Sequence, residues 1–241
     1  MLGLLLLFCL VAFVYSSAGF GGGSSYTAIL AWGGEGQETI RLLSLSCNLV
    51  VVAIGGWASF RNGRVKGNLL GPLLCFSIPM TWFGAELEIN RESFLLILGG
   101  ALLVAGLILL LEPAKRGDVC REQRLSWGVL LPLGGGLGFL AGVTGIGGGI
   151  YLVPVLHLLR AAPEKDLAAV GTWFILVNSS VGLMVLAAQG SSGQVDWAFP
   201  FSVAAGGTCG SLLLQKKLPV RLLRRWTGGL VFIIAVRLLW Q

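Results

Sequence analysis

Two glycine-rich interruptions, Ala18-Gly19-Phe20-Gly21-Gly22-Gly23 and Thr144-Gly145-Ile146-Gly147-Gly148-Gly149, stand 126 residues apart. Each lies inside a long run without Lys, Arg, Asp or Glu, residues 1–34 for the first and 125–159 for the second. Glycine costs about 0.5–1 kcal/mol relative to alanine inside a helix, so three in a row break a span. Short helices are expected after each break, over about 24–33 and 150–160. The first turn of such a helix has unpaired N–H groups and about +0.5 of charge. That makes it a ready anion site, and glycine lets a ligand reach the backbone unobstructed by Cβ. Neutral hydrogen-bonding residues surround both breaks: Ser16, Ser17, Ser24, Ser25, Tyr26 and Thr27 in one, Thr144 and Tyr151 in the other. The chemistry implied is reversible capture of a small anion by amides and hydroxyls. The candidate substrate-binding residues are Gly21, Gly22, Gly23, Ser24, Ser25 and Thr27 with Gly147, Gly148, Gly149, Ile150 and Tyr151.

The elements that must hold these residues are membrane spans. The chain is 55% hydrophobic and only 12% charged, against about 25% charged in a soluble domain, and its mean hydropathy is +0.85. Charge-free runs cover 42–60, 67–85, 93–111, 167–195 and 197–215, each long enough for the roughly 17–25 residues a span needs. A last apolar segment, about 219–240, has arginines near both ends that can snorkel. The expected fold is an all-α polytopic membrane protein with eight apolar segments. Residues 1–18 lack a basic leading region and a small-residue cleavage site, so they read as a retained membrane segment and not a signal peptide. Five cysteines at 9, 47, 75, 120 and 209 form no C-x-x-C pair, which suggests neither a disulfide framework nor a zinc site. A net charge of +6 reads as an orientation signal in the membrane, with no nucleic-acid partner.

Residues 1–111 and 126–241 repeat one order: apolar limb, glycine break, short helix, three spans; residues 112–125 form the linker, expected on the cytoplasmic face. Polar residues recur at similar depth in the second spans, Ser44, Ser46 and Asn48 against Thr172, Asn178 and Ser179. Asn48, Thr172 and Asn178 therefore join the candidate site, where they would either line the path or bond across helices. Orientation follows from Lys and Arg. If all eight segments cross simply, the 17 basic residues divide 8 to 9, against the positive-inside rule. If 126–160 enters and leaves on one face, the division becomes 14 to 3. The repeat argues that 1–34 re-enters as well. Each half would then be a broken hairpin plus three transmembrane helices, and the halves would be inverted, a common plan for secondary transporters.

Packing is the better reading for Gly134-Gly135-Gly136-Gly138 and for Gly206-Gly207-Gly210, as in small-xxx-small helix faces. A dinucleotide fingerprint at Gly145 and Gly147 fails, because Ile150 stands at the third glycine position and no strand precedes it. His157 reads as a helix-end residue and Cys47 as apolar packing. Trp32, Trp57, Trp82, Trp127, Trp197 and Trp240 read as interfacial anchors, and Lys216, Lys217, Arg221, Arg224 and Arg225 as a lipid-facing orientation cluster. Spans carry no paired carboxylates, no Ser–His or Cys–His pair and no metal cluster, which argues against an intramembrane enzyme and implies no cofactor.

The stretch from Gly138 to Pro154, with Gly138, Gly142, Gly145, Gly147, Gly148 and Gly149 leading to Pro154, resembles the signature of the TauE/SafE sulfite exporter family. The first half departs from that pattern: Ala28 stands where Pro154 would be matched, and Ser24-Ser25 replace apolar residues. The resemblance implies a multi-pass permease of the cell membrane that moves sulfite, sulfonates or related sulfur anions, usually outward. The expected function is a secondary transporter of a small anion working by alternating access, coupled to H+ or Na+. The alternatives are a passive anion channel, indifferent to such gradients, and a membrane assembly subunit without cargo.

Overall fold

The computed structural model describes residues 2–17, 20–61, 63–111, 125–190, 196–213, and 228–240 apart from 230, 234, 237 and 238. Ala18, Gly19, the linker 112–124 with Cys120, and the basic cluster 216–225 lie outside the described residues, as does the side chain of Ser17.

Among the described residues nine helices have defined bounds: α1 Leu2–Ser17, α2 Gly23–Trp32, α3 Gln37–Arg61, α4 Gly67–Glu86, α5 Arg91–Leu111, α6 Trp127–Thr144, α7 Gly149–Leu158, α8 Glu164–Ala188 and α9 Ala198–Leu213. The described residues between 228 and 239 are also helical. Five helices, α3, α4, α5, α6 and α8, are long and apolar enough to cross a membrane. The chain is thus an all-α polytopic membrane protein, as composition implied. The run 197–215, expected as a full span, is helical over the 16 residues of α9 within its described part.

Helices in lipid gain little from burying apolar surface against each other, so close backbone approach takes over. Gly134, Gly138 and Gly142 form a ridge along α6, and a Cβ on any of them would meet the carbonyl of Leu73, Ser77 or Thr81 on α4. Those partners advance by four residues as the glycines do, so α4 and α6 run parallel. The same device recurs between α1 and α9. Gly206 and Gly210 abut the carbonyls of Cys9 and Phe13, and Ser202 Oγ donates to the Leu5 carbonyl at 2.7 Å. The packing reading of Gly134, Gly138, Gly206 and Gly210 is what the structure has. Gly136 meets nothing.

Lys66 Nζ lies 3.4 Å from Asp166 Oδ2, so the start of α4 and the start of α8 share one end of the bundle. The starts of α3, the ends of α4 and the end of α8 gather at the other end around a cavity of about 460 Å3. The other pairings include α3 with α8, α4 with α8, α9 with α3, α2 with α3, α7 with α8, α6 with α8, α5 with both α6 and α7, and α1 with α2 and α3. The core is apolar and aromatic: Phe8 stacks on Tyr26 with ring centres 4.7 Å apart and meets Phe199 edge-on at 4.9 Å. Cys47 is fully buried within it. The six end-of-segment tryptophans named above are all exposed.

Candidate functional site

Both breaks are buried and both meet the centres of the long helices. A Cβ at Gly21 or Gly23 would strike Asn48, midway along α3; a Cβ at Gly147 or Gly149 would strike Ile175, midway along α8. The backbone turns alike at the residue before each short helix, although Gly147 is also left-handed and its counterpart Gly21 is not. Gly22 and Gly148 are the residues before α2 and α7, with φ of 82° and 79°, a left-handed conformation that only glycine adopts at little cost. The Gly22 carbonyl accepts from the amides of Ser25 and Tyr26, and the Gly148 carbonyl from those of Tyr151 and Leu152. Among the described residues, the amides of Ser24, Gly149 and Ile150 donate to nothing within the protein, as first-turn amides do when no cap supplies an acceptor.

One side chain joins the two breaks. Asn48 Oδ1 accepts from the Gly23 amide at 3.3 Å, while Asn48 Nδ2 donates to the Ile146 carbonyl at 3.0 Å and to Ser179 Oγ at 3.2 Å. Asn48 is 0% exposed, so these bonds replace solvation that an amide in a dry core would otherwise lose at considerable cost. Asn178 builds a second junction one residue away. Its Oδ1 accepts from Ser77 Oγ at 2.6 Å and from Thr81 Oγ1 at 2.8 Å, and its Nδ2 donates to the Phe174 carbonyl at 2.9 Å. Thr81 Oγ1 also lies 2.9 Å from the Gly138 carbonyl and shares its single proton between two acceptors.

Other candidate residues are spent locally. Thr27 donates to the Gly23 carbonyl at 2.7 Å and Thr172 to the Ala168 carbonyl at 2.8 Å. Ser25 Oγ pairs with Tyr15 Oη at 2.7 Å, and Ser24 Oγ lies 3.5 Å from the same phenol. Thr172 faces Gly55 and Gly56 on α3, so it belongs to the α3–α8 seam and not to the junction of the breaks. Ile150 and Tyr151 are buried in the first turn of α7. The hydroxyls of Tyr26 and Tyr151 are enclosed without any partner, an arrangement that costs about 1–3 kcal/mol for each group. The Tyr26 hydroxyl points back along α2 to within 2.9 Å of where a Cβ on Gly22 would stand. His157 sits in the last turn of α7. Among the described residues, no group of three or more His, Cys, Asp or Glu is placed to hold a metal ion.

Sequence reading singles out neither Ser77 and Thr81 nor Arg41. The first two carry a faint signal, two hydroxyls one turn apart in an apolar run. Arg41 Nη2 donates to the Ala85 carbonyl at 2.7 Å and to the Gly142 carbonyl at 3.0 Å, tying together the last turns of α4 and α6, where a cation complements the helix dipoles. Its Cα lies 3.0 Å from where a Cβ on Gly145 would stand. Arg41 thus separates the cavity from the second break.

Buried broken helices joined at mid-depth within an apolar helical bundle define a class, that of polytopic membrane proteins whose irregular backbone is enclosed by protein. The chain belongs to the sulfite exporter TauE/SafE family, whose model matches residues 4–238. It is 26% identical to "Probable membrane transporter protein y4hK" of Sinorhizobium fredii, over 99% of this chain and 98% of that protein. It is 34% identical over 77 residues to "Probable membrane transporter protein YunE" of Bacillus subtilis, a match covering 32% of this chain and 27% of that one. No solved structure matches the chain.

Proposed function

We propose that the protein is a secondary transporter that carries a small sulfur oxyanion, sulfite or a sulfonate, outward across the cell membrane, with the two glycine breaks as its substrate site. The observation that carries this reading is the junction at Asn48, where both breaks converge on one side chain at the middle of the bundle. The same short helices carry amides at Ser24, Gly149 and Ile150 that donate to nothing within the described protein, and the enclosed, unpartnered hydroxyls of Tyr26 and Tyr151. Such donors fit an anion that must be bound and then released. Family membership and the transporter relatives support the same direction of thought.

The plan of two inverted repeats, 1–111 and 126–241, draws support from chain directions. Because α6 runs parallel to α4, residue 127 lies at the Lys66 end; Asp166 returns there too, so 126–160 would enter and leave on one face. By the parallel pairing of α1 with α9, the first hairpin would enter from the opposite face. In this reading Asn48 is a latch: its three bonds hold the breaks shut, and an arriving anion takes over their donors. A gradient of H+ or Na+ would drive the cycle.

The test is flux from proteoliposomes loaded with sulfite, thiosulfate, sulfate or an alkanesulfonate, with and without imposed H+ and Na+ gradients. Gly148→Val should insert and lose flux, since the left-handed backbone excludes a β-branched residue. Tyr26→Phe should retain or gain thermal stability while anion-induced stabilisation falls. Flux that ignores both gradients would mark a channel, and unchanged flux in Gly148→Val would remove the breaks from the path.

A further inference from the structure

The cavity at the acidic end is divided from the second break by Arg41 and carries charge of both signs. Its lining includes Arg41, Glu38, Glu86 and Glu88, with Gln37 and Gln189 between them. Its volume, about 460 Å3, is in the usual range of small-molecule sites. Arg41 is rigidly posed: Nη2 is held by two carbonyls and Nε is enclosed without a partner, leaving Nη1 to meet a ligand. Among the described residues no ion pair joins Arg41 to Glu86 or Glu88, which line the same space. Glu86 and Glu88 are exposed, and Glu86 accepts from Trp82 Nε1 at 2.7 Å.

Charges kept apart in one small cavity suit a ligand that carries both signs. A simple anion gains one contact with Arg41 but is repelled by the carboxylates that line the same cavity. A simple cation is drawn to the carboxylates but leaves Arg41 without a counter-charge. A molecule with an acid group at one end and an ammonium group at the other satisfies both.

We propose that this cavity is a binding site for a small zwitterion, its acid group on Arg41 and its ammonium group on Glu86 and Glu88. The proposal does not rest on the breaks as substrate site, because it concerns equilibrium binding at a separate place.

Isothermal titration of the purified full chain with 3-aminopropanesulfonate, propane-1-sulfonate and propylammonium tests it. The aminosulfonate should bind at least about tenfold more tightly than either single-charge analogue, as expected for one added charge-assisted contact. Glu86→Gln/Glu88→Gln, on exposed positions that leave folding intact, should erase that preference. Arg41→Gln should weaken the aminosulfonate and spare propylammonium; if it fails to fold, the glutamate pair alone decides. Equal binding of propane-1-sulfonate, preferential binding of propylammonium, no binding of the aminosulfonate, or an unchanged preference in the glutamate variant would each overturn the proposal.

Discussion

Arg160 holds the left-handed backbone position after α7 that Gly34 holds after α2, with φ of 52° against 80°. In both, the chain closes on the preceding helix: Glu35 N–H reaches the Leu30 carbonyl at 3.2 Å, and Ala161 N–H reaches the Leu156 carbonyl at 3.0 Å. A non-glycine residue there costs about 1–2 kcal/mol, partly offset because glycine is more flexible when unfolded. Arg160→Gly is expected to raise stability by about 0.5–1 kcal/mol. Thermal unfolding in detergent checks this, and a lowered midpoint would show that the arginine side chain contributes more than its backbone loses.

Asn48→Ala removes the acceptor of the Gly23 amide and the donor to the Ile146 carbonyl in a dry core. Each orphaned group costs about 1–3 kcal/mol, so a drop in stability of several kcal/mol is expected together with loss of flux. A variant as stable as the parent would mean that the breaks are held by packing alone.

Along α6, the glycine ridge provides its own control. Gly138→Val places a side chain against the Ser77 backbone and is expected to cost about 1–3 kcal/mol, the usual penalty of overpacking. Gly136→Ala, on the same helix with nothing near its Cβ position, should be neutral or stabilising by about 0.5–1 kcal/mol. Equal effects at the two positions would dismiss the ridge.

Orientation can be read directly in a cysteine-free background. Arg64→Cys and Lys165→Cys should react with an impermeant thiol reagent from the same side, and Glu88→Cys from the other. Labelling of positions 64 and 165 from opposite faces would refute the one-sided hairpin, and with it the 14 to 3 division of basic residues.

Much of this architecture was legible in the residues. The absence of charge marked the apolar segments, because a span tolerates few ionised groups. The breaks at Gly21–Gly23 and Gly147–Gly149 announced themselves because three successive glycines are costly in a helix. The two short helices were expected within a residue or two of where they lie. The partners were illegible. Nothing local in Ser77 or Thr81 says that both turn to Asn178, 101 and 97 residues away. Thr27 and Thr172 looked like ligands, yet a hydroxyl in a helix can always bond the carbonyl one turn back, and both do. Arg41 counted only toward orientation, since its place between α4 and α6 depends on a parallel contact that spacing along the chain does not encode.

That pair of parallel contacts also bears on how the molecule is made. The opening limb of the chain, α1, is clasped by α9 near its other end, and α6 is clasped by α4. Until α6 and α9 are made, the carbonyl-lined seams of α4 and α1 have no glycine ridge to meet, so the bundle is expected to close only after the later helices insert. A chain halted after residue 111 should therefore be cleared by membrane quality control, and co-expression of the two halves as separate polypeptides should rescue both.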